Sequence, residues 1–189
     1  FSKTSVSVSI TKLLFIKIIL FNRYVILYSC KEVSSLMDGF NVSVVVPTFN
    51  RVDFVLKAIK SVSNQTFQPL EIILVDNNSE DNTLELVAKH FKTVKIIFQK
   101  KQGVSASRNF GILEASGNWI AFLDSDDAWD NRKLEVQKNA LLSNSINYKL
   151  VHTEEIWIKN NIRINQMKKH QKFGDYIFEK CLPLCCISP

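Results

Sequence analysis

Side chains able to hold a cation or a phosphate fall in three short polar stretches: Pro47-Thr-Phe-Asn-Arg51, Asp76-Asn-Asn-Ser79 and Asp124-Ser-Asp-Asp127. Crowding Asp124, Asp126 and Asp127 within a few ångströms is unfavourable unless a cation or hydrogen-bond donors offset the repulsion. A hard divalent ion answers that need. Mg²⁺ or Mn²⁺ prefers oxygen ligands, takes one or two protein carboxylates and fills its shell with water and phosphate oxygens. Two aspartates separated by one residue after a strand can supply one direct ligand and one acting through water or a ribose. The plainer alternative is a solvated acidic turn capping a helix that starts near Asp130. An apolar strand immediately upstream and two companion polar loops favour the cation. Arg108, within Gly103-Val-Ser-Ala-Ser-Arg-Asn109, is the basic group the pattern places near this rim. Beside a helix start it could clamp a diphosphate, and on position alone it is equally a surface arginine. His152 lies at a predicted strand end beside Glu154 and Glu155, without a second histidine at ligand spacing, so a structural role is expected.

The elements that must position these loops alternate between β-branched runs and stretches of helical spacing, the pattern of βαβ units around a mostly parallel sheet. The first strand is Val42 to Val46, stopped by Pro47; a helix follows with Val55, Ile59 and Val62 on one face, broken around Gln65 to Pro69. Leu70 to Val75 forms the second strand. Asn82 precedes Glu85 by a capping-box spacing, and Leu84, Val87, Ala88 and Phe91 supply the buried stripe of a helix ending near His90. Val94 to Phe98 is the third strand and Gly103 to Ala115 the third helix. Trp119 to Leu123 is an apolar run suited to a strand covered on both faces, and it leads straight into Asp124. Asp130 can cap a helix reaching about Leu142, Tyr148 to His152 resembles a fifth strand, and Ile156-Trp-Ile158 and Ile162-Arg-Ile164 suit a hairpin turning at Asn160-Asn161. In such a sheet the loops at the carboxyl ends of the strands line one edge, where ligands bind.

With 189 residues, 46% hydrophobic and 22% charged, the chain is one ordinary domain's worth of globular protein, which excludes disordered, collagenous and disulfide-scaffold classes. A net charge of +6 suits an acidic partner such as a nucleotide, a nucleic acid or an anionic membrane face, without choosing among them. Cys30, Cys181, Cys185 and Cys186 have neither a C-x-x-C pair nor histidines at zinc spacing, so they read as reduced thiols of an intracellular protein. The stretch through Lys168, Lys169 and Lys172 reads as a solvated surface ahead of a phosphate or lipid contact. No G-x-x-x-x-G-K-[ST] loop occurs and no G-x-G-x-x-G follows the first strand, which removes the main support for P-loop and dinucleotide-binding readings.

Residues 1–40 form a leader outside the pattern. Its Leu13 to Tyr28 run is broken by Lys17, Asn22 and Arg23, which argues against a clean spanning helix, and Ser29-Cys30-Lys31 offers no small-x-small cleavage site. A non-native or upstream-translated leader, an interfacial membrane anchor and a packed extra element remain open, and Met37 is a candidate start. The apolar Cys181-Leu-Pro-Leu-Cys-Cys-Ile-Ser-Pro189 run suggests a truncated C-terminus.

Four stretches in order, Val42-Ser-Val-Val-Val-Pro-Thr-Phe-Asn-Arg51, Leu74-Val-Asp-Asn-Asn-Ser-Glu-Asp-Asn-Thr83, Gly103-Val-Ser-Ala-Ser-Arg-Asn-Phe-Gly-Ile112 and Ile120-Ala-Phe-Leu-Asp-Ser-Asp-Asp127, closely resemble family-2 glycosyltransferases of the GT-A fold. The resemblance is strong from Val42 to Leu142 and weakens beyond. It implies an α/β, Rossmann-like sandwich over residues 41–189, and transfer of a sugar, with inversion, from a nucleoside diphosphate donor to an acceptor hydroxyl. The acceptor would be a saccharide or lipid-linked and the setting cell-surface polysaccharide or glycoconjugate synthesis. The protein would be cytoplasmic, compatible with peripheral contact at the inner face of the membrane, and no nucleic-acid partner is implied. By motif, Pro47 and Thr48 would line the nucleoside pocket, Asp76 would hydrogen-bond the base, and Arg108 would face the donor. Asp124 and Ser125 would border ribose and sugar. Asp126 would be the principal contact of Mg²⁺ or Mn²⁺, with Asp127 its nearest competitor.

Two departures stand out. Many relatives carry a second aspartate where this chain has Asn77, so one nucleotide contact becomes neutral. The family's general base is a carboxylate of the acceptor half, expected beyond Pro189; Glu154-Glu155 comes too early in the pattern. Without that base the proton-transfer step slows by about 10²–10⁴, so the fragment is expected to be weakly active or inactive. The alternative is a non-catalytic, truncated nucleotide-sugar-binding module. A phosphoryl-transfer receiver domain is a weaker third reading, since no clear lysine follows a late strand.

Overall fold

The computed structural model describes residues 8–11, 28–29, 39–143, 150–159 and 162–164. In chain order the elements are β1 (Val8–Thr11), β2 (Tyr28–Ser29), β3 (Val42–Thr48), α1 (Val52–Ser63), β4 (Glu71–Asp76), α2 (Thr83–His90), β5 (Lys95–Phe98), α3 (Val104–Leu113), β6 (Trp119–Phe122), α4 (Lys133–Leu142), β7 (Leu150–Thr153), β8 (Trp157–Lys159) and β9 (Ile162–Ile164). The main sheet has the order β2-β6-β3-β4-β5. Its β6, β3, β4 and β5 run parallel, and β2 joins the edge antiparallel to β6. A mostly parallel α/β sheet is therefore what the alternating pattern forms.

Side-chain alternation along the strands divides the core into two layers. Val42, Val44, Val46, Ile72, Leu74, Ala121 and Leu123 face α1, α2 and α4 through Val55, Ile59, Val87 and Leu134. Val45, Ile73, Val75, Ile120 and Phe122 face α3, where Phe110 and Ile112 cover them. Both faces being covered explains why these strands read as continuous apolar runs. Gly111 lets α3 approach closely: a Cβ there would lie 2.3 Å from Val45 Cγ1.

Several boundaries differ from the sequence reading, each for a local reason. Pro47 does not stop β3, which continues to Thr48 in register with β4, Pro47 opposite Val75 and Thr48 opposite Asp76. What it stops is the other ladder. The last rung to the β6 side is Leu123 N–H to Val45 O, at 3.1 Å, and the next donor in a parallel ladder would be the N–H that proline lacks. The β6 chain is thus released at Asp124. Asn82 makes no side-chain cap to α2. Asp81 serves instead, its carboxylate accepting from Thr83 N at 3.1 Å and from Val52 N at 3.2 Å, so one side chain joins the starts of α1 and α2. Burial pushes the Asp81 carboxyl upward, but these hydrogen bonds prevail and hold it below its ordinary value. Ala88 is exposed, and Thr83 takes the buried place beside Val87. Asp130 does not cap α4 either: the cap position falls on Arg132, and the Asp130 carboxylate accepts from Arg132 N, at 2.9 Å, ahead of the helix.

β7 pairs antiparallel with β1, placing buried His152 opposite Ser9, and β8 and β9 form the expected hairpin. The leader readings, the four cysteines, the Lys168–Lys172 stretch, the Asn160-Asn161 turn and the apolar terminal run lie wholly or mainly outside the described residues. Among the described residues no helix is long and apolar enough to cross a membrane.

Candidate functional site

A cavity of about 540 Å³ opens at the carboxyl edge of the parallel strands. Pro47, Thr48, Phe49 and Arg51 line it from the loop after β3, and Asn77 from the loop after β4. Gln102, Gly103, Val104, Ser107 and Arg108 come from the start of α3, and Asp124, Ser125 and Asp126 from the loop after β6. Every sequence-predicted site residue except Asp76 and Asp127 therefore meets in one hollow.

Arg108 is no surface arginine: it is 7% exposed, and its guanidinium bonds Asp124 Oδ1 at 2.5 Å and lies 5.9 Å from the centre of the Phe122 ring. The Asp124 charge is thereby committed to a buried cation. Nε of Arg108 and Oγ1 of Thr48 are buried with no hydrogen-bond partner among the described residues. Such groups are costly to leave unpaired, and here both belong to residues lining the cavity.

Asp126 is half-exposed at the mouth, 3.8 Å from the Arg51 guanidinium, which is exposed to a similar extent. Asp127 is the next residue, and its carboxyl is disfavoured in the charged form. Desolvation first, then the charges of Asp126, Asp124 and Glu155, push its carboxyl up from 3.8 to about 6, with Lys133 opposing. The donor chemistry fits a hard divalent ion. The oxygens are carboxylate oxygens, their mutual repulsion favours a cation, and Arg108 has withdrawn Asp124 from the competition. Among the described residues no group of three or more potential ligands stands ready, so a bound ion would depend on water and substrate oxygens for most of its shell.

Asp76 lies under the rim and not on the cavity wall. It is buried, and its carboxylate accepts from Ser79 N at 3.1 Å, which shapes the turn after β4. That turn carries Asn78 at φ 68°, and the loop after β3 carries Asn50 at φ 49°. The two loops are tied together: Asn50 N donates to Ser79 Oγ at 3.0 Å and Glu80 N donates to Asn50 Oδ1 at 2.8 Å.

Among the cavity residues that the sequence reading did not name as site residues, Arg51 and Phe49 stand out. Arg51 stood in a recognised loop, but its approach to a carboxylate so distant along the chain is a tertiary fact. Phe49 is 51% exposed and lines the cavity, a flat apolar face that its position next to Thr48 could have suggested.

Covered parallel strands, a cavity across their carboxyl ends and an acidic, arginine-bearing rim define a Rossmann-like nucleotide-site architecture. Comparison with known proteins narrows this. Residues 43–178 match the model of glycosyl transferase family 2, and the chain belongs to that family. It is 34% identical over 154 residues to an uncharacterized glycosyltransferase of Rickettsia conorii, covering 80% of this chain and 25% of that protein. It is 34% identical over 156 residues to Escherichia coli WfgD, a UDP-Glc:alpha-D-GlcNAc-diphosphoundecaprenol beta-1,3-glucosyltransferase, covering 80% of this chain and 59% of that protein. The chain thus spans between a quarter and three fifths of the length of these two relatives. A crystal structure of Staphylococcus aureus TarS 1-349 in complex with UDP superposes with a TM-score of 0.51 at 28% identity, over 55% of this chain and 32% of that one. The fold is the GT-A arrangement.

Proposed function

We propose that the cavity binds a nucleoside diphosphate sugar and that the protein passes the sugar, with inversion, to the hydroxyl of a saccharide or lipid-linked acceptor in cell-surface glycoconjugate synthesis. The observation that carries this reading is the meeting of Thr48, Arg108, Asp124 and Asp126 in one hollow at the sheet's carboxyl edge. WfgD is named for a UDP-glucose donor and an undecaprenol-linked acceptor, and the TarS crystal held UDP, which supports a uridine donor.

Phe49 offers a face on which a base can stack, and Thr48 Oγ1 offers an unspent hydrogen-bonding group beside it. Arg108, through Nε, retains a donor after engaging Asp124. As the glycosidic bond breaks, negative charge collects on the departing diphosphate, and a positive group held in place beforehand lowers that barrier. Asp126 and Asp127 would hold Mg²⁺ or Mn²⁺, which supplies Lewis-acid stabilisation of the same charge. Arg51 is held to Asp126 only by a half-exposed pair, worth about 0–1 kcal/mol, and is therefore free to turn toward the phosphates. The general base belongs to the acceptor part, and no carboxylate among the described residues is assigned that role. A peripheral contact with the inner face of the membrane suits a lipid-linked acceptor.

The test is calorimetry of UDP-sugar binding in the presence of MnCl2. Asp126→Ala is expected to abolish the manganese-dependent part, and an unchanged affinity would overturn the assignment. Binding with no transfer, even after fusion of a complete acceptor half, would favour a non-catalytic nucleotide-sugar-binding module instead.

A further inference from the structure

Asn77 lines the cavity and is 7% exposed, yet most of its polar capacity is already engaged within the protein. Nδ2 donates to Gln99 O at 2.7 Å and to Lys101 O at 3.0 Å, and Oδ1 accepts from Gly103 N at 2.8 Å. Both donors and one acceptor position of the amide are engaged, and every partner is backbone of the segment between β5 and α3. Gly103 is the point where this matters. Its φ of 117° is a conformation open to glycine, and its carbonyl accepts Ser107 N at 3.1 Å in the first turn of α3. The path from Asn77 through Gly103 thus ends on the turn that presents Ser107 and Arg108.

Resting on the donor-binding reading above, we propose that Asn77 is a positioning residue: it holds the α3 wall of the cavity in place and does not read the base. An aspartate at this position, ionised, would be an acceptor only. It could still take the Gly103 N–H, but its other oxygen would face the carbonyls of Gln99 and Lys101 with no proton between them. Asparagine here is a requirement of this chain's own loop and not a neutral replacement of a nucleotide contact.

Three variants separate positioning from direct recognition: Asn77→Asp, Asn77→Ala and, as a control for a cavity residue outside the staple, Phe49→Ala. Affinity is measured for UDP and for inorganic pyrophosphate, each with MnCl2, from pH 5 to pH 8. Asn77→Asp is expected to weaken both ligands by a similar factor, about tenfold at pH 8. The loss relative to wild type should shrink toward pH 5, as the introduced carboxyl takes up a proton and regains a donor. Phe49→Ala should weaken UDP alone. Amide exchange at Gly103 should accelerate in Asn77→Ala, which removes the acceptor of that N–H, a readout independent of any ligand, and Asn77→Ala carries the test if Asn77→Asp does not fold. A loss confined to UDP would overturn the proposal in favour of base contact, as would wild-type affinity in both Asn77 variants. Failure of the wild-type protein to bind either ligand would remove the donor-binding reading and, with it, the proposed role, while the Gly103 exchange would still report whether the staple exists.

Discussion

The two ends of the same parallel sheet treat their polar groups in opposite ways. At the amino end, Ser43 Oγ donates to Glu71 Oε1 at 2.7 Å and accepts from Gly117 N at 2.9 Å, while Glu71 Oε1 also takes Ser116 N at 2.6 Å. Asn118 closes the neighbouring loop, accepting from Asn41 N and donating to Gly39 O. Each of these groups is answered from within the protein. At the carboxyl end, Thr48 Oγ1 and Arg108 Nε are buried without answer among the described residues, and Asp124, Asp126 and Asp127 crowd one another. One strand, β3, runs from the first environment into the second. The contrast teaches that burial of polar groups does not itself mark a site; what sets the carboxyl end apart is unspent capacity joined to crowded carboxylates around one cavity.

Four substitutions would break or sharpen this contrast. The largest effect is expected from Arg108→Leu, which strands the Asp124 carboxylate: about 2–3 kcal/mol of stability in urea unfolding, reduced from the fully buried case because Asp124 is partly exposed, together with loss of nucleotide binding. Ser43→Ala comes next, at about 1–2 kcal/mol, because it leaves Gly117 N buried and unpaired. Ligand affinity should not move. Asp127→Asn is expected to raise the stability of the protein in EDTA by on the order of 1 kcal/mol at pH 7, after allowance for solvent screening. The sign follows from the raised carboxyl. The folded protein binds the proton more tightly than the unfolded chain, so the penalty grows as pH rises from about 4 to about 6 and is absent below that range. Thermal melts of both proteins should therefore converge near pH 4. The smallest stability effect belongs to Thr48→Val, less than about 0.5 kcal/mol, since its hydroxyl has no partner among the described residues to lose. Its UDP affinity should nonetheless fall several-fold by calorimetry. A Thr48→Val that destabilises the fold while binding normally would erase the distinction between the two edges.

Much of the fold was legible because local and global signals agree in this chain. The Val55, Ile59 and Val62 stripe buries as its spacing requires, and the Trp119 to Leu123 run lies in the sheet where continuous hydrophobicity put it. What escaped depends on partners that are distant in sequence. Asp81 displaces Asn82 as the anchor of α2 because it can serve α1 at the same time. Thr83 replaces Ala88 in the core because its hydroxyl meets Arg51 N, at 3.3 Å. The site behaved likewise. Residue type, position along the chain and the family resemblance together brought forward Pro47, Thr48, Arg108, Asp124, Ser125 and Asp126, all of which line the cavity. They could not reveal that Asp76 also accepts from the turn that follows it, or that Asn77 spends its amide on the next loop. Hydrogen-bond saturation is a property of the folded neighbourhood, and no spacing rule encodes it.

The proline at position 47 works as the stop on a zipper. The seam between β3 and β6 closes as far as Val45 and Leu123 and can go no further, so the acidic loop hangs free of the sheet at the place where a ligand would arrive. Restoring an amide hydrogen there, as in Pro47→Ala, would let the seam draw shut by one more tooth and haul Asp124 inward, narrowing the entrance by a change made outside the acidic loop itself.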